Sequence, residues 1–298
     1  MEKSSPPPGA TVYINSLGGA VEAAIEIGRT IRSRGLLTNI GIYILDYSKP
    51  SDILVPRAFL PGSCISAATL IYLGGRLRFF NRRARFGVHQ FSFGNPDPTH
   101  LFQSQILSAK IARYVTDMGV DSSFLELSAS TPHEKINIIP RATLERMGVI
   151  TGGQTAVEWT TQSRGGAIYV RGERDSIFGH HKVMLQYSGT VGFTFWAVIE
   201  AQGREEELEN FGIVEIVLNG EDTRIDISDR CQRVRVNGYI NIIAKITNEE
   251  ASSLAHSASF GVQVRVSKDA DMFLGIAAMN TMGGRDQLVS FVKAISVV

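Results

Sequence analysis

Gly62-Ser63-Cys64-Ile65-Ser66-Ala67-Ala68-Thr69-Leu70-Ile71-Tyr72-Leu73-Gly74-Gly75 is the stretch on which the fold turns. Small residues open it, and residues 66–73 are apolar or small on every side. That pattern predicts a short helix buried all round and stopped by paired glycines. A serine in the first turn of such a helix is able to present its Oγ to a cleft, where the helix dipole favours developing negative charge. The N–H of Ala67 then becomes a candidate oxyanion donor. On this segment alone, Ser66 capping its own helix is the plainer reading. Cys64, two residues earlier, is a second candidate nucleophile; the segments on either side favour the serine.

Upstream, residues 10–15 (ATVYIN) are rich in β-formers and predict a buried strand. Ser16-Leu17-Gly18-Gly19 is turn chemistry, and from Ala20 the period changes to helical. Val21, Ala24, Ile25, Gly28 and Ile31 share one face, with Glu22, Glu26, Arg29 and Arg32 on the other. Gly35 stops that helix. A second apolar strand, residues 38–45, follows, which makes a strand–helix–strand unit and predicts parallel pairing in an α/β sheet. The paired glycines also allow backbone N–H groups to turn outward at the helix start, an arrangement suited to an oxyanion. Alone, they read as a turn that packs the helix on the sheet.

Residues 46–63 carry three prolines and predict a surface loop able to act as a lid. Residues 77–80 and 86–91 predict strands around a turn at 81–84. In Phe86-Gly87-Val88-His89-Gln90-Phe91 a lone histidine interrupts an apolar strand; by itself it reads as a satisfied core or edge histidine. Helices are expected over 101–118, over 122–129 with Asp121 as its cap, and over 141–147, before a return to strand at Val149-Ile150.

The order of the segments strengthens all three together: glycine turn, serine helix, histidine strand. The interval from Ser66 to His89 leaves room for one helix, a short hairpin and a return strand to the same edge. The pattern resembles the Clp protease proteolytic subunit and its crotonase-fold relatives. In these a strand ending N-S-P-G-G provides the oxyanion hole, the nucleophile opens a buried helix, and a strand ends in H-Q. The run from Val12 to Phe91 looks closest to the Clp-like proteins of bacterial envelopes described only as predicted periplasmic proteins, through S-C-I-S-A-A-T-L-I-Y-L-G-G-R and G-V-H-Q-F.

The resemblance covers about the first half of the chain. It implies Ser66 as nucleophile, His89 as general base, and Gly19 and Ala67 as backbone donors, with Gly18 as second choice. Leu17 stands where the family has proline. The family's aspartate has no clear counterpart. Glu134 is the candidate to orient His89, with His133 beside it and Asp121 as the poorer option. The likeness further implies a peptide or protein substrate and a homo-oligomer. It also implies sheet strands, and often an export signal, ahead of residue 1, so the domain is expected to be N-terminally shortened and a periplasmic or envelope location is implied.

After Gly152 the character changes. Between residues 166 and 246 short β-runs alternate with turn signals, among them Asn219-Gly220 between two strands. Thr247-x-x-Glu250 is a capping box; residues 260–266 predict a strand and 286–295 an amphipathic helix. The expected organisation is therefore a Clp-protease/crotonase-like α/β domain at 1–153 and a smaller β-rich α+β domain at 166–298, the latter structural, oligomerising or partner-binding.

Composition narrows the classes. The 298 residues are 44% hydrophobic and 20% charged, with a net charge of +1, which gives no field to recruit nucleic acid or an anionic membrane. No apolar run reaches the length of a membrane helix, and residues 1–10 lack the apolar core of a signal peptide. Two distant cysteines make no disulfide framework. His180-His181 and His256 have no third ligand at a sensible spacing, so neither metal nor cofactor is expected. Three functions compete: a serine peptidase-like hydrolase; a catalytically weak or inactive Clp-like module that binds a partner or acts as a scaffold; and a crotonase-type acyl-CoA enzyme. The Ser66/His89 order and the lack of an acidic residue in 62–73 argue against the last.

Overall fold

Strand pairing differs between the two halves of the chain, and it follows from side-chain pattern. The computed structural model describes residues 6–46, 57–92, 99–221 and 223–296. The chain divides into two compact units, Met1–Thr155 and Ala156–Val298, both of mixed α/β character.

The first unit runs β1 (Thr11–Ile14), α1 (Val21–Ser33), β2 (Leu37–Ile40), β3 (Ile42–Leu45), β4 (Arg57–Leu60), β5 (Ser63–Ile65), α2 (Ala68–Leu73), β6 (Arg78–Phe79), β7 (Arg85–Val88), α3 (Thr99–Asp117), α4 (Ser123–Ala129), β8 (Asn137–Ile138) and α5 (Arg141–Arg146). β1 lies parallel to β2, and β2 to β6. β5 lies parallel to β7, which pairs antiparallel with β8. A parallel bridge between Ser16 and Cys64 joins the two sets, with Ser16 N–H donating to Ser63 O at 2.7 Å and Ile65 N–H to Ser16 O at 3.1 Å. The lateral order is therefore β6-β2-β1-β5-β7-β8.

α1 packs as its periodicity requires: Ala24, Ile25, Gly28 and Ile31 are buried. It ends at Gly35, left-handed at φ +62°, with Leu36 N–H returning to Ile31 O. Arg78 is 2% exposed yet fully engaged. Its guanidinium donates to the carbonyls of Leu73, Gly75, Met118, Gly148 and Val149, tying the ends of α2, α3 and α5 together. Burial, and then the neighbouring Arg32, lowers its pKa to about 10.

Several expectations need correction here. Residues 38–45 are not one strand: Gly41, at φ +151°, separates β2 from β3, and a Cβ there would meet the Phe59 ring at 2.4 Å. The 46–63 stretch is not wholly irregular, since it contains β4, which pairs antiparallel with β3, and ends on the first residue of β5. Residues 47–56 of that expected lid lie outside the described residues. β6 and β7 form no hairpin, because each finds a parallel partner elsewhere, in β2 and β5. The buried helix begins at Ala68 rather than Ser66. Val149 and Ile150 are buried but are not strand.

The second unit contains β9 (Glu158–Arg164), β10 (Ala167–Ser176), β11 (Gly179–Ser188), β12 (Gly192–Glu200), α6 (Glu205–Asn210), β13 (Ile213–Leu218), β14 (Thr223–Asp226), β15 (Cys231–Val236), β16 (Tyr239–Lys245), α7 (Asn248–His256), β17 (Ser259–Arg265), β18 (Leu274–Asn280) and α8 (Arg285–Ser296). All its pairings are antiparallel, in a six-stranded sheet β15-β16-β12-β11-β10-β9 and a four-stranded sheet β14-β13-β17-β18.

One core unites the sheets with α7 and α8: Phe193 and Phe195 from β12, Val262 and Val264 from β17, Leu254 and Leu288 from the helices. The capping box forms as read, with Glu250 N–H donating to Thr247 Oγ1 and Thr247 N–H to Glu250 Oε2. β9 occupies most of the stretch expected to link the domains. α6 and β18 were not anticipated; α6 has one apolar residue in six, and β18 lacks a polar–apolar alternation.

Candidate functional site

Parallel strands deliver their chain ends to one edge, and in open α/β sheets that edge is where ligands bind. β1, β5 and β7 are neighbours running the same way, and Cys64 stands opposite both Ser16 and Phe86. The residues just past their carboxyl ends are the Gly18–Gly19 turn, Ser66 and His89. The three segments singled out in the sequence therefore meet on one edge.

Ser66 occupies the junction between β5 and α2 with a left-handed backbone, φ +58°. A non-glycine residue held there carries strain of about 1–3 kcal/mol. The surroundings enforce it. Ser66 N–H donates to Gly87 O at 2.9 Å, continuing the β5–β7 ladder, while Ser66 O accepts from Thr69 N–H at 3.0 Å and Thr69 Oγ1 at 2.6 Å. The sharp strand-to-helix turn lifts the side chain out of the strand row, as in serine nucleophile elbows.

Gly18 backs onto Ser66. At φ +132°, a Cβ on it would meet Ser66 Cβ at 2.9 Å and Oγ at 3.2 Å, so only glycine allows the turn to approach this closely. Its own N–H is taken by Ser16 Oγ at 3.3 Å. Gly19 N–H and Ala67 N–H have no acceptor among the described residues. Of the three expected oxyanion donors, then, these two are available and Gly18 is engaged.

His89 is half-buried and lines the same cleft as Ser66, with Ala67, Val21, Leu70, Ile111, Phe124 and Leu125 among the other walls. No hydrogen bond joins Ser66 Oγ to the ring. His89 Nδ1 lies 2.7 Å from the carbonyl oxygen of Gln90. No aspartate or glutamate is among the cleft's described walls.

The expected acid is not brought to this ring. Glu134 is exposed and its Oε1 lies 3.3 Å from Nδ1 of His133, itself exposed; no ion pair or hydrogen bond links either to His89. Asp121 caps the first turn of α4, accepting from Ser123 N–H at 2.8 Å. Hydrogen bonds from the Ser123 side chain and backbone hold its carboxyl below the usual value. Cys64 is fully buried beside this edge, and burial pushes its thiol pKa far up, so it holds no thiolate to attack with.

The histidines of the second unit are dispersed. His180 and His181 are successive strand residues and so face opposite sides of the sheet. His180 Nδ1 pairs with Asp175 at 3.0 Å, while His256 turns back on its own helix to Ser252 O. Among the described residues no three histidine, cysteine or acidic side chains gather as a metal site, and no helix is long and apolar enough to cross a membrane.

Sequence reasoning missed the strain at Ser66, the Gln90 carbonyl and the wall residue Ser128, whose hydroxyl donates to His89 O at 3.1 Å. The flanking small residues of Cys64-Ile65-Ser66-Ala67-Ala68 were the one available signal for the strained turn. No protein-family model matches the chain, and no curated protein matches it.

Proposed function

We propose that this chain is a serine hydrolase of the Clp-protease and crotonase kind, cleaving peptide or protein substrates through an acyl-enzyme. One observation carries the reading. A serine in a strained left-handed turn, a histidine and a glycine turn converge at the carboxyl ends of three adjacent parallel strands. Strain of this kind collects at reacting groups because the surrounding structure must hold it in place.

In the acylation step, His89 Nε2 takes the proton of Ser66 as Oγ bonds to the scissile carbonyl carbon. The resulting oxyanion is met by the N–H groups of Gly19 and Ala67. The C–N bond then breaks and the proton passes from His89 to the leaving amine. Water repeats the sequence on the ester, releasing the acid and restoring Ser66. In comparable enzymes one oxyanion donor contributes about 3 kcal/mol. The mainly apolar walls of the cleft suit an uncharged acyl portion. By the same resemblance, a homo-oligomer and a bacterial envelope location accompany this activity.

A fluorophosphonate probe tests the reading. Ser66 should be labelled in the parent chain, not in Ser66→Ala, and about a hundred-fold more slowly in His89→Ala. A folded parent that stays unlabelled, or a Ser66→Ala variant labelled equally, overturns it.

A second reading, a Clp-like binding or scaffold module without turnover, is favoured by the absence of any carboxylate bonded to His89 among the described residues. Its signature is an unlabelled parent whose partner binding survives Ser66→Ala. An acyl-CoA hydratase or isomerase needs a carboxylate for proton transfer, and no described wall of the cleft supplies one. Calorimetry with a CoA thioester should accordingly give no binding heat.

A further inference from the structure

We infer that the main-chain carbonyl of Gln90 does the work of the triad acid, holding His89 as the Nδ1–H tautomer so that Nε2 faces the nucleophile as a base. This rests on the hydrolase reading above and adds to it the group that orients the base. A peptide carbonyl only accepts hydrogen bonds, so the nitrogen 2.7 Å from it must carry the proton. In neutral imidazole that leaves Nε2 unprotonated.

The carbonyl is itself held. Gln90 N–H donates to Thr131 O at 2.8 Å and its side-chain Nε2 to Ala129 O at 2.5 Å. The preceding carbonyl, of His89, accepts from Ser128 Oγ at 3.1 Å. Three bonds thus clamp residues 89–90 to the end of α4, and two of them are made by Gln90. The amide of Gln90 is a positioning group rather than a reacting one.

The chemistry of triads explains why a neutral acceptor suffices. Replacing the aspartate of a serine-protease triad by asparagine is ruinous because it imposes the wrong tautomer while leaving the geometry intact. A carbonyl at Nδ1 keeps the correct tautomer and gives up only the negative charge opposite the developing imidazolium. The expected enzyme is therefore slower than one with a full triad, and indifferent to the acidic residues nearby.

Ring-nitrogen NMR of the 15N-labelled full chain, alongside fluorophosphonate labelling rates, tests this. The His89 ring should show the Nδ1–H tautomer in the parent. In Gln90→Ala it should move towards the Nε2–H form, with labelling of Ser66 slowed by roughly ten-fold or more. Gln90→Asn, too short to reach Ala129 O in the same way, should fall in between. Ser128→Ala removes a single hydroxyl and supplies a milder break of the same clamp, with a smaller loss, should Gln90→Ala not fold. Glu134→Gln and His133→Ala should leave both tautomer and rate unchanged.

An Nε2–H ring in the parent overturns the inference, as does a Glu134→Gln variant that slows labelling as much as Gln90→Ala. An unlabelled parent that keeps the Nδ1–H ring overturns instead the hydrolase reading, because the NMR reports the Gln90 bond independently of turnover.

Discussion

The two units spend their polar groups in opposite ways. In the second, charges on antiparallel strands satisfy one another across the sheet. Glu173 meets Arg171, Lys182 and His180, and the buried Glu215 meets Arg224 and Arg265, with Arg224 bonded also to Gln263. In the first, the parallel strands end at one edge, where Ser66, Ala67 and His89 line one cleft and the Gly18–Gly19 turn lies beside Ser66. Paired polar groups hold a fold together. At that edge the Ser66 hydroxyl and the N–H groups of Gly19 and Ala67 have no partner among the described residues, and the ring of His89 is bonded to the carbonyl of its own neighbour, Gln90.

The largest break in this contrast should come from Glu215→Ala. It leaves Arg265, 7% exposed, without its carboxylate, and removing one member of a buried pair costs about 3–5 kcal/mol. Thermal unfolding should shift down sharply, while Ser66 labelling at 20 °C, scaled to the folded fraction, stays at the parental rate. A matching loss of labelling would merge roles that the comparison keeps apart.

Gly18→Ala reverses the pattern. Its Cβ would press on Ser66 at 2.9 Å from a conformation strained for alanine, so labelling per folded molecule should fall by about a hundred-fold, with a smaller drop in melting temperature. Next in size is Ser66→Gly, which relieves the φ +58° backbone. It should abolish labelling while raising stability by about 1 kcal/mol in denaturant titration; a destabilised variant would mean that the turn carries no strain.

The smallest effect concerns acid. The carboxyl of Glu250 is held below its usual value chiefly by hydrogen bonds from Arg230, with the Thr247 N–H adding to them against some desolvation. A depressed carboxyl contributes stability that is present above its unfolded pKa and lost as pH falls through the lower folded one. Glu250→Gln should therefore lower stability slightly at neutrality, flatten the curve below about pH 4.5 and meet the parent at the acid end. An unchanged acid limb would assign that sensitivity to other carboxylates.

How much was legible varied with the range of the interactions involved. α1, α3, α7 and α8 could be read because a 3.6-residue period, a glycine stop and a capping box are local properties. β5 could not. It is three residues long, composed of small and mixed side chains, and exists because Ser16 on one side and Arg85–Gly87 on the other pair with it. β6 and β7 looked like a hairpin because neighbouring strands in sequence often pair, and long-range parallel partners overrode that preference.

At the site, Ser66, His89 and the glycine turn were legible as residue types in order. Glu134 was sought as the acid because it lies nearest the position where the Clp family has its aspartate; the structure pairs it with His133 instead.

The amino-acid sequence by itself determined the two-part organisation, the helical faces, the capping box and the order of a glycine turn, a serine and a histidine along the first unit. The tertiary structure decided that these stand at the ends of adjacent parallel strands, that Ser66 is held left-handed, and that a carbonyl meets the ring of His89. The physical reason is that side-chain periodicity is written locally, whereas every residue carries the same backbone acceptor, and which one reaches a given ring depends on how distant segments pair.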